Sequence, residues 1–319
     1  MWQVLFRIPI PGWHAVPVYG YGLMLVLGVI LAISLAKILA RRRGIDPELF
    51  VNAGLLAMLS GVVGARLSHV LENWPEYFNS HLTLGQSLWR AVNISSGGLT
   101  YYGGFIVATG ALLWYGRRKK VSLRVGMDIV APCLMVGLAL GRVGCFLNGC
   151  CYGAACDLPW AVRFPYHSYA YIEQVDQGKI RPADELMLHL AGGRTRLASP
   201  EEIRDEPDLV AIARGEHTLA VHPTQLYSTI TALLIAAVLL AWMPLCKVPG
   251  RVFALMLMIE PVTRFLLEML RVEPAVLGPL SFSMVMAIPQ FVAALILWWG
   301  FGWYQRRASE TEVASETVP

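Results

Sequence analysis

Residues 18–36, VYGYGLMLVLGVILAISLA, contain no charged side chain, and the apolar run continues to Ala40 past a single lysine, Lys37. A helix needs ~20 mostly apolar residues to cross ~30 Å of hydrocarbon, so this stretch is long enough to span a bilayer. Lys37 lies near its end, where the aliphatic stem can carry the ammonium out to the interface. The same composition recurs at 49–71, 91–116, 125–147, 226–246, 252–270 and 282–304. Seven helical spans are predicted, because only helices or closed barrels satisfy backbone groups in lipid and no alternating barrel pattern is present. Over the whole chain 56% of residues are hydrophobic and 15% are charged. Soluble domains carry about 25% charged residues, so a soluble, disordered, collagen-like or disulfide-scaffold protein is excluded.

The charges are bunched. Arg41, Arg42 and Arg43 follow the first span, and Arg117, Arg118, Lys119, Lys120 and Arg124 follow the third. Lys247 and Arg251 follow the fifth, and Arg306 and Arg307 the seventh. With seven crossings all four clusters share one side, which the positive-inside rule makes cytoplasmic. The N-terminus is then outside and the C-terminus inside. The expected class is an all-α polytopic membrane protein with about seven transmembrane helices and a small extracytoplasmic cap. Its parts are helices one to four with an interfacial lead-in (1–165), the polar cap (166–221), helices five to seven (222–305) and a cytoplasmic tail (306–319). The tail is expected to be irregular from Ala308.

Six ionisable residues fall inside these spans: Arg66, Asp128, Arg142, Glu260, Arg264 and Glu268. A charge at mid-bilayer costs a few kcal/mol unless paired or wetted, which makes each a functional candidate. In the predicted topology Arg66, Arg142 and Arg264 converge from three helices toward the outer leaflet, where arginine suits an anionic group such as phosphate. Glu260, Arg264 and Glu268 repeat at i, i+4 and i+8, which predicts a ladder on one face. A structural ion-pair network is the plainer reading of the same spacing. Three further segments stand out: SSGGLTYYGG (95–104), GRVGCFLNG (141–149) and HPTQLY (222–227). Alone, the first reads equally well as close helix packing with an aromatic belt, and His222 of the third as a capping residue.

Taken in order, VYGYGLML, GARLSHVL, SGGLTYYGG, GRVGCFLNG, DLPWAVRFP, HPTQLYS and RFLLEMLR resemble the bacterial prolipoprotein diacylglyceryl transferase family. The resemblance covers nearly the whole chain except 166–220 and the tail. It implies transfer of the diacylglyceryl group of phosphatidylglycerol to the lipobox cysteine thiol of prolipoproteins, with release of glycerol phosphate. The implied setting is the bacterial cytoplasmic (inner) membrane, with the active site toward the outer face. The implied partners are phosphatidylglycerol, prolipoprotein signal peptides and the lipid bilayer, with no nucleic acid, no cofactor and no metal. Catalysis is expected of Arg142, Arg264, Glu260 and Glu268, with Arg142 holding the phosphate and Arg264 assisting the leaving group. Substrate contacts are expected of Arg142, Arg66, Ser96, Gly97, Gly98, Tyr101, Asn148, His222 and Tyr227. The pattern departs from the family at Ser96, Cys145, Cys150 and Glu260, which leaves the thiol-activating base open among Glu260, His69, His222 and a cysteine thiolate.

Four of six cysteines crowd into GCFLNGCCYGAAC (144–156), and their spacing differs from the C-x-x-C patterns of redox and zinc sites. A structural disulfide or buried thiols, a redox or nucleophilic pair, and a metal site are all compatible with it. Cys145, Cys150 and Cys151 are the candidates for thiol chemistry. Two other functions fit less of the chain. One is a catalytically altered paralogue that binds phospholipid or lipobox helices; the other is a membrane thiol–disulfide oxidoreductase, which would ordinarily carry C-x-x-C. A channel is disfavoured because the intramembrane charges cluster instead of lining a path.

Overall fold

The computed structural model describes residues 4–8, 16–78, 83–93, 97–189, 195–271 and 273–316. It is mostly helical. In chain order the helices are α1 (Gly20–Arg42), α2 (Glu48–Glu72), α3 (Trp74–Tyr77), α4 (Leu84–Val92), α5 (Tyr101–Arg118) and α6 (Leu123–Asn148). There follow α7 (Tyr169–Asp176), α8 (Pro207–Gly215), α9 (Thr224–Trp242), α10 (Arg251–Glu268) and α11 (Phe282–Glu316). A 3-10 turn (Asp184–Leu186) and three antiparallel hairpins complete the described elements: β1 (Val4–Ile8) with β2 (Val16–Tyr19), β3 (Met187–His189) with β4 (Thr195–Leu197), and β5 (Ala275–Leu277) with β6 (Leu280–Ser281). The segment before α1, expected as an interfacial lead-in, thus includes a short hairpin.

Among the described residues, five helices are long and apolar enough to cross a membrane: α1, α2, α6, α9 and residues 282–307 of α11. Large apolar side chains such as Leu59, Ile106, Ile296 and Trp299 lie on the exterior, as lipid-facing helices require. The chain is a multi-pass membrane protein. The expected third and sixth spans do form helices, α5 and α10, of 18 residues each, but α5 ends in Arg117 and Arg118 and α10 carries Arg251, Glu260, Arg264 and Glu268, so neither is as apolar as the other five. Length and apolarity alone therefore support five crossings, not seven. The third span also begins later than expected: Gly97 and Gly98 adopt φ of +82° and +77°, which a helix cannot contain. At the other end α11 continues to Glu316, so residues expected to be irregular are helical.

The chain divides into two compact units, Ala32–Cys133 and Met1–Leu31 with Leu134–Pro319. In the first, α2 packs on α5 through small residues. A Cβ built on Gly103 would fall 2.1 Å from Ser68 Cβ, and one on Gly64 would fall 2.6 Å from the Gly103 carbonyl oxygen. The backbones touch, which is the packing mode open to helices with no hydrophobic drive between them. This explains the YYGG part of SSGGLTYYGG as packing.

In the second unit, Gly28 meets Gly137 and Gly144 meets Tyr21 and Met24, seating the start of α1 on α6. Helices α9, α10 and α11 pack successively. The insert between α6 and α9 has a small core of its own, Leu186, Ala198, Ile203 and Ala213. It is tied back through Phe164, Ala170 and Val221, and through backbone pairing of Val162 with Val221. The Tyr171 hydroxyl, buried here, donates to Glu216 at 2.8 Å.

Two outcomes follow. Gly103→Val forces its side chain into Ser68, and overpacking of this kind costs roughly 1–3 kcal/mol; the thermal midpoint in detergent should fall, and an unchanged midpoint would contradict the packing. In the insert, burial pushes the His167 pKa below its ordinary value. The unfolded segment therefore takes the proton first, and stability that is full above pH ~6.5 declines as pH falls through the lowered folded value. Proteolysis within the insert should be faster at about pH 5 than at about pH 7.5, and His167→Asn, which tolerates the +58° φ of this position, should remove the difference.

Candidate functional site

On α6, Arg142 and Cys145 are three residues apart and share a face. Arg142 is half-buried and makes no hydrogen bond or ion pair among the described residues. It lines a cleft with Ser228 and Thr231 of α9 and with Glu260, Thr263 and Arg264 of α10. Arg264, 44% exposed, stands 3.8 Å from Glu260, which is 16% exposed. The other Glu260 oxygen accepts from Gln290 Nε2 of α11 at 2.9 Å. Arg264 also reaches Ser283 Oγ at 3.5 Å. The cleft thus offers one uncommitted guanidinium and a second held in place by a carboxylate, with hydroxyls at the rim. An anion is the ligand such a set can take.

The expected ladder stops at Arg264. Glu268 is the last residue of α10 and is buried. It pairs with Arg271 at 3.4 Å and accepts from Ser281 Oγ at 3.2 Å. Because the helix ends there, the chain turns Arg271 back over Glu268, and the carboxylate serves that junction instead of Arg264.

Beyond Arg142, α6 ends in a tight turn. Gly149 has φ of +76° and Cys151 of +60°, and the Cys150 N–H donates to the Cys145 carbonyl at 3.1 Å. This brings the sulfurs of Cys145, Cys150 and Cys151 within 4.8 Å of one another. Two side chains of the HPTQLY segment hold the turn: Gln225 Nε2 donates to the Cys150 carbonyl and Thr224 Oγ1 to the Cys151 carbonyl, both at 2.8 Å. Gly153 is required next, since a Cβ there would lie 2.7 Å from both His222 Cβ and the Leu270 carbonyl oxygen. Hydrogen bonds from the neighbouring Cys145 and Cys150 thiols, and then the Arg271 and Arg142 charges, pull the Cys151 thiol well below its ordinary pKa. Sequence reasoning missed Thr224 and Gln225. The available signal was two polar residues opening an otherwise apolar helix.

Asn148, expected to contact substrate, directs its amide toward Cys150 Sγ at 3.9 Å. His222 Nδ1 lies 3.5 Å from the Tyr227 hydroxyl, which accepts from Trp160 Nε1 at 2.7 Å. A cavity of about 340 Å³ adjoins the turn, lined by Cys151, Gly153, Glu173, Lys179, Arg271 and Glu273 among others.

In the other compact unit, Arg66 is 5% exposed and fully engaged. Its Nε donates to the Ala91 carbonyl at 2.8 Å, Nη1 to Gly97 and Gly98 at 2.7 and 2.9 Å, and Nη2 to Arg90 at 2.6 Å. Tyr77 lies against the guanidinium, with its ring centroid 5.3 Å away. Where an anion receptor was expected, all of these bonds tie Arg66 to the last turn of α4 and to the chain leading from it into α5. Gly97 and Gly98 are acceptors of this clamp, and a Cβ on Gly98 would fall 2.4 Å from His69 Nε2. Tyr101 opens α5; Ser96 lies outside the described residues.

A family model described as prolipoprotein diacylglyceryl transferase matches residues 4–300. The phosphatidylglycerol–prolipoprotein diacylglyceryl transferase of Corynebacterium diphtheriae is 32% identical over 279 residues, covering 86% of each chain. The protein of the same name from Trichormus variabilis is 30% identical, covering 92% of this chain and 89% of its own. That of Rhodopirellula baltica is 36% identical over 167 residues, 52% of this chain and 33% of its own.

Arg66→Met removes the donors of four carbonyl bonds, and a cost on the order of 2–4 kcal/mol is expected. Thermal unfolding in detergent should show a lowered midpoint, and a wild-type midpoint would restore Arg66 as a candidate ligand-binding group.

Proposed function

Because the chain belongs to the prolipoprotein diacylglyceryl transferase family, we propose that it transfers the diacylglyceryl group of phosphatidylglycerol to the lipobox cysteine thiol of prolipoproteins and releases glycerol phosphate. The observation that carries the reading is Arg142, a guanidinium beside Arg264 in a polar cleft of α6, α9 and α10, with no hydrogen bond or ion pair of its own among the described residues. An uncommitted arginine within apolar helices is stabilised once an anion occupies the cleft. The phosphate of phosphatidylglycerol is such an anion.

In the reaction the acceptor sulfur, as thiolate, attacks the glyceryl carbon. The S–C bond forms, the C–O bond to phosphorus breaks, and its electron pair leaves on the phosphate. Arg142 and Arg264 meet that developing charge, and donors placed in advance in a water-poor site stabilise it far more than solvent would. Glu260, held by Gln290, keeps Arg264 directed into the cleft. The topology that accords with this chemistry has seven crossings in the bacterial inner membrane, with α5 and α10 crossing beside the five apolar helices. The N-terminus is then outside, the four basic clusters are cytoplasmic, and the end of α6 and the 166–221 cap face outward, where preprolipoproteins emerge.

The test is rescue of a strain depleted of its diacylglyceryl transferase, together with transfer to a lipobox peptide in vitro. Wild type is expected to rescue. Arg142→Ala should lose on the order of 10²–10³ in kcat/KM, as removal of one transition-state donor does elsewhere, with its thermal midpoint unchanged. A wild-type chain that neither rescues nor transfers would refute the proposal.

A further inference from the structure

Alkylation of sulfur needs a thiolate, and a free thiol with pKa ≈ 8.5 is mostly protonated near neutral pH. Arg142 and Arg264 stabilise the departing phosphate but take no proton. One helical turn from Arg142, at the end of the same helix, the sulfurs of Cys145, Cys150 and Cys151 lie within 4.8 Å of one another. A tetrahedral zinc ion with Zn–S of ≈ 2.3 Å sets its sulfurs ~3.8 Å apart, so small rotations about Cα–Cβ would close the set. The turn is built to keep the thiols together. Cys151 holds a left-handed φ uncommon for a residue with a side chain, and such a conformation persists only where its surroundings enforce it. Thr224 and Gln225 enforce it through the carbonyls of Cys151 and Cys150.

Two further observations point to a ligand. Asn148 directs an amide donor at Cys150 Sγ from 3.9 Å, the outer support that a metal-bound thiolate takes. The cavity of about 340 Å³ comes up to Cys151, so a group from outside can approach the sulfurs. Structural zinc sites are closed by four protein ligands, whereas catalytic sites have three and an open position.

We propose that Cys145, Cys150 and Cys151 bind one thiophilic divalent cation of the zinc class and leave its fourth position to the acceptor cysteine of the substrate. The second half rests on the transferase reading; the metal site does not. It departs from the family resemblance, which implies no metal. On coordinating the cation, the acceptor thiol releases its proton to water. The metal-bound sulfur then forms the S–C bond to the glyceryl carbon as the C–O bond to phosphate breaks, and the electron pair departs with glycerol phosphate. The thioether product is a weak ligand and leaves the metal. Nothing is oxidised or reduced.

The experiment uses the full chain purified in detergent with its thiols protected. Metal content is counted by plasma mass spectrometry, and zinc is then exchanged for cobalt(II), whose thiolate charge-transfer absorption reports sulfur ligation. One metal per chain is expected, lost in Cys145→Ser and in Cys151→Ser but retained in Cys156→Ser. Reversible removal by chelator gives the same reading without relying on the variants' folding. A lipobox peptide should shift the cobalt spectrum, and its Cys→Ser version should not. Metal far below one per chain, a disulfide joining two of the three cysteines in transfer-competent protein, or a cobalt spectrum blind to the cysteine peptide would each overturn the proposal. Full transfer after exhaustive chelation would overturn it too, while leaving the transferase reading intact. Stoichiometric metal without transfer to any lipobox peptide would uphold the cation site and refute the transferase reading along with the role given to the fourth position.

Discussion

A guanidinium inside an apolar helix bundle must be satisfied by something, and this chain shows two solutions. Arg66 is satisfied internally: two backbone carbonyls in the last turn of α4 and two at Gly97 and Gly98 ahead of α5 accept its protons, and the price is paid in local structure, with two successive glycines at positive φ. Arg142 has no such acceptors among the described residues, and Arg264 is only loosely paired with Glu260 at 3.8 Å. Where the protein supplies no carboxylate or carbonyl, a ligand can, and in the function proposed above that ligand is the phosphate of the anionic phospholipid. The rest of the second compact unit can be understood as holding Arg142 and Arg264 at one cleft: Gly144 seats α6 on α1, Thr229 of α9 bonds to the Ala139 carbonyl of α6, and Gln290 of α11 fixes Glu260.

The same unit holds the turn that follows α6. Its residues are committed by backbone, not by bulk. Gly153 is squeezed between His222 and Leu270, and the Gly153 and Ala154 N–H groups donate to the carbonyls of those two residues. The entrance to α9, the exit of α10 and the cysteine turn are therefore one hydrogen-bonded junction. Glu268, Arg271 and Ser281 complete it with a buried ion pair, an arrangement that is costly to break once formed because removing one partner leaves a buried charge.

Much of the fold was legible from composition, because crossing hydrocarbon imposes long uncharged runs and five such runs became long helices. The seven-span count was less secure for the same reason: α5 and α10 carry glycines or charges that weaken the signal. Residues 91–100 read as the start of a span because their side chains are small or apolar, yet the two glycines end regular structure there, which φ reveals and composition does not. Charge could be located by eye, but its partner could not. Arg66 and Arg142 look alike in sequence, and only geometry separates a clamp from an open receptor. Glu268 fell out of its ladder because α10 stops, and helix ends are the least readable feature of a sequence. The cysteine spacing matched no familiar pattern because a left-handed turn, not a helix or a hairpin, brings the sulfurs together.

The most direct measurement compares thermal stabilisation of the purified chain by phosphatidylglycerol with that by diacylglycerol of the same acyl chains, in wild type and in Arg142→Gln. Binding to the folded state raises its stability in proportion to RT ln(1 + [L]/Kd), so the difference between the two lipids isolates the phosphate. Wild type should be stabilised selectively by the phosphate-bearing lipid, and the variant should lose that selectivity while keeping its response to the acyl chains. Equal stabilisation of the wild type by both lipids would mean that the cleft does not recognise phosphate, and would contradict the role given to Arg142.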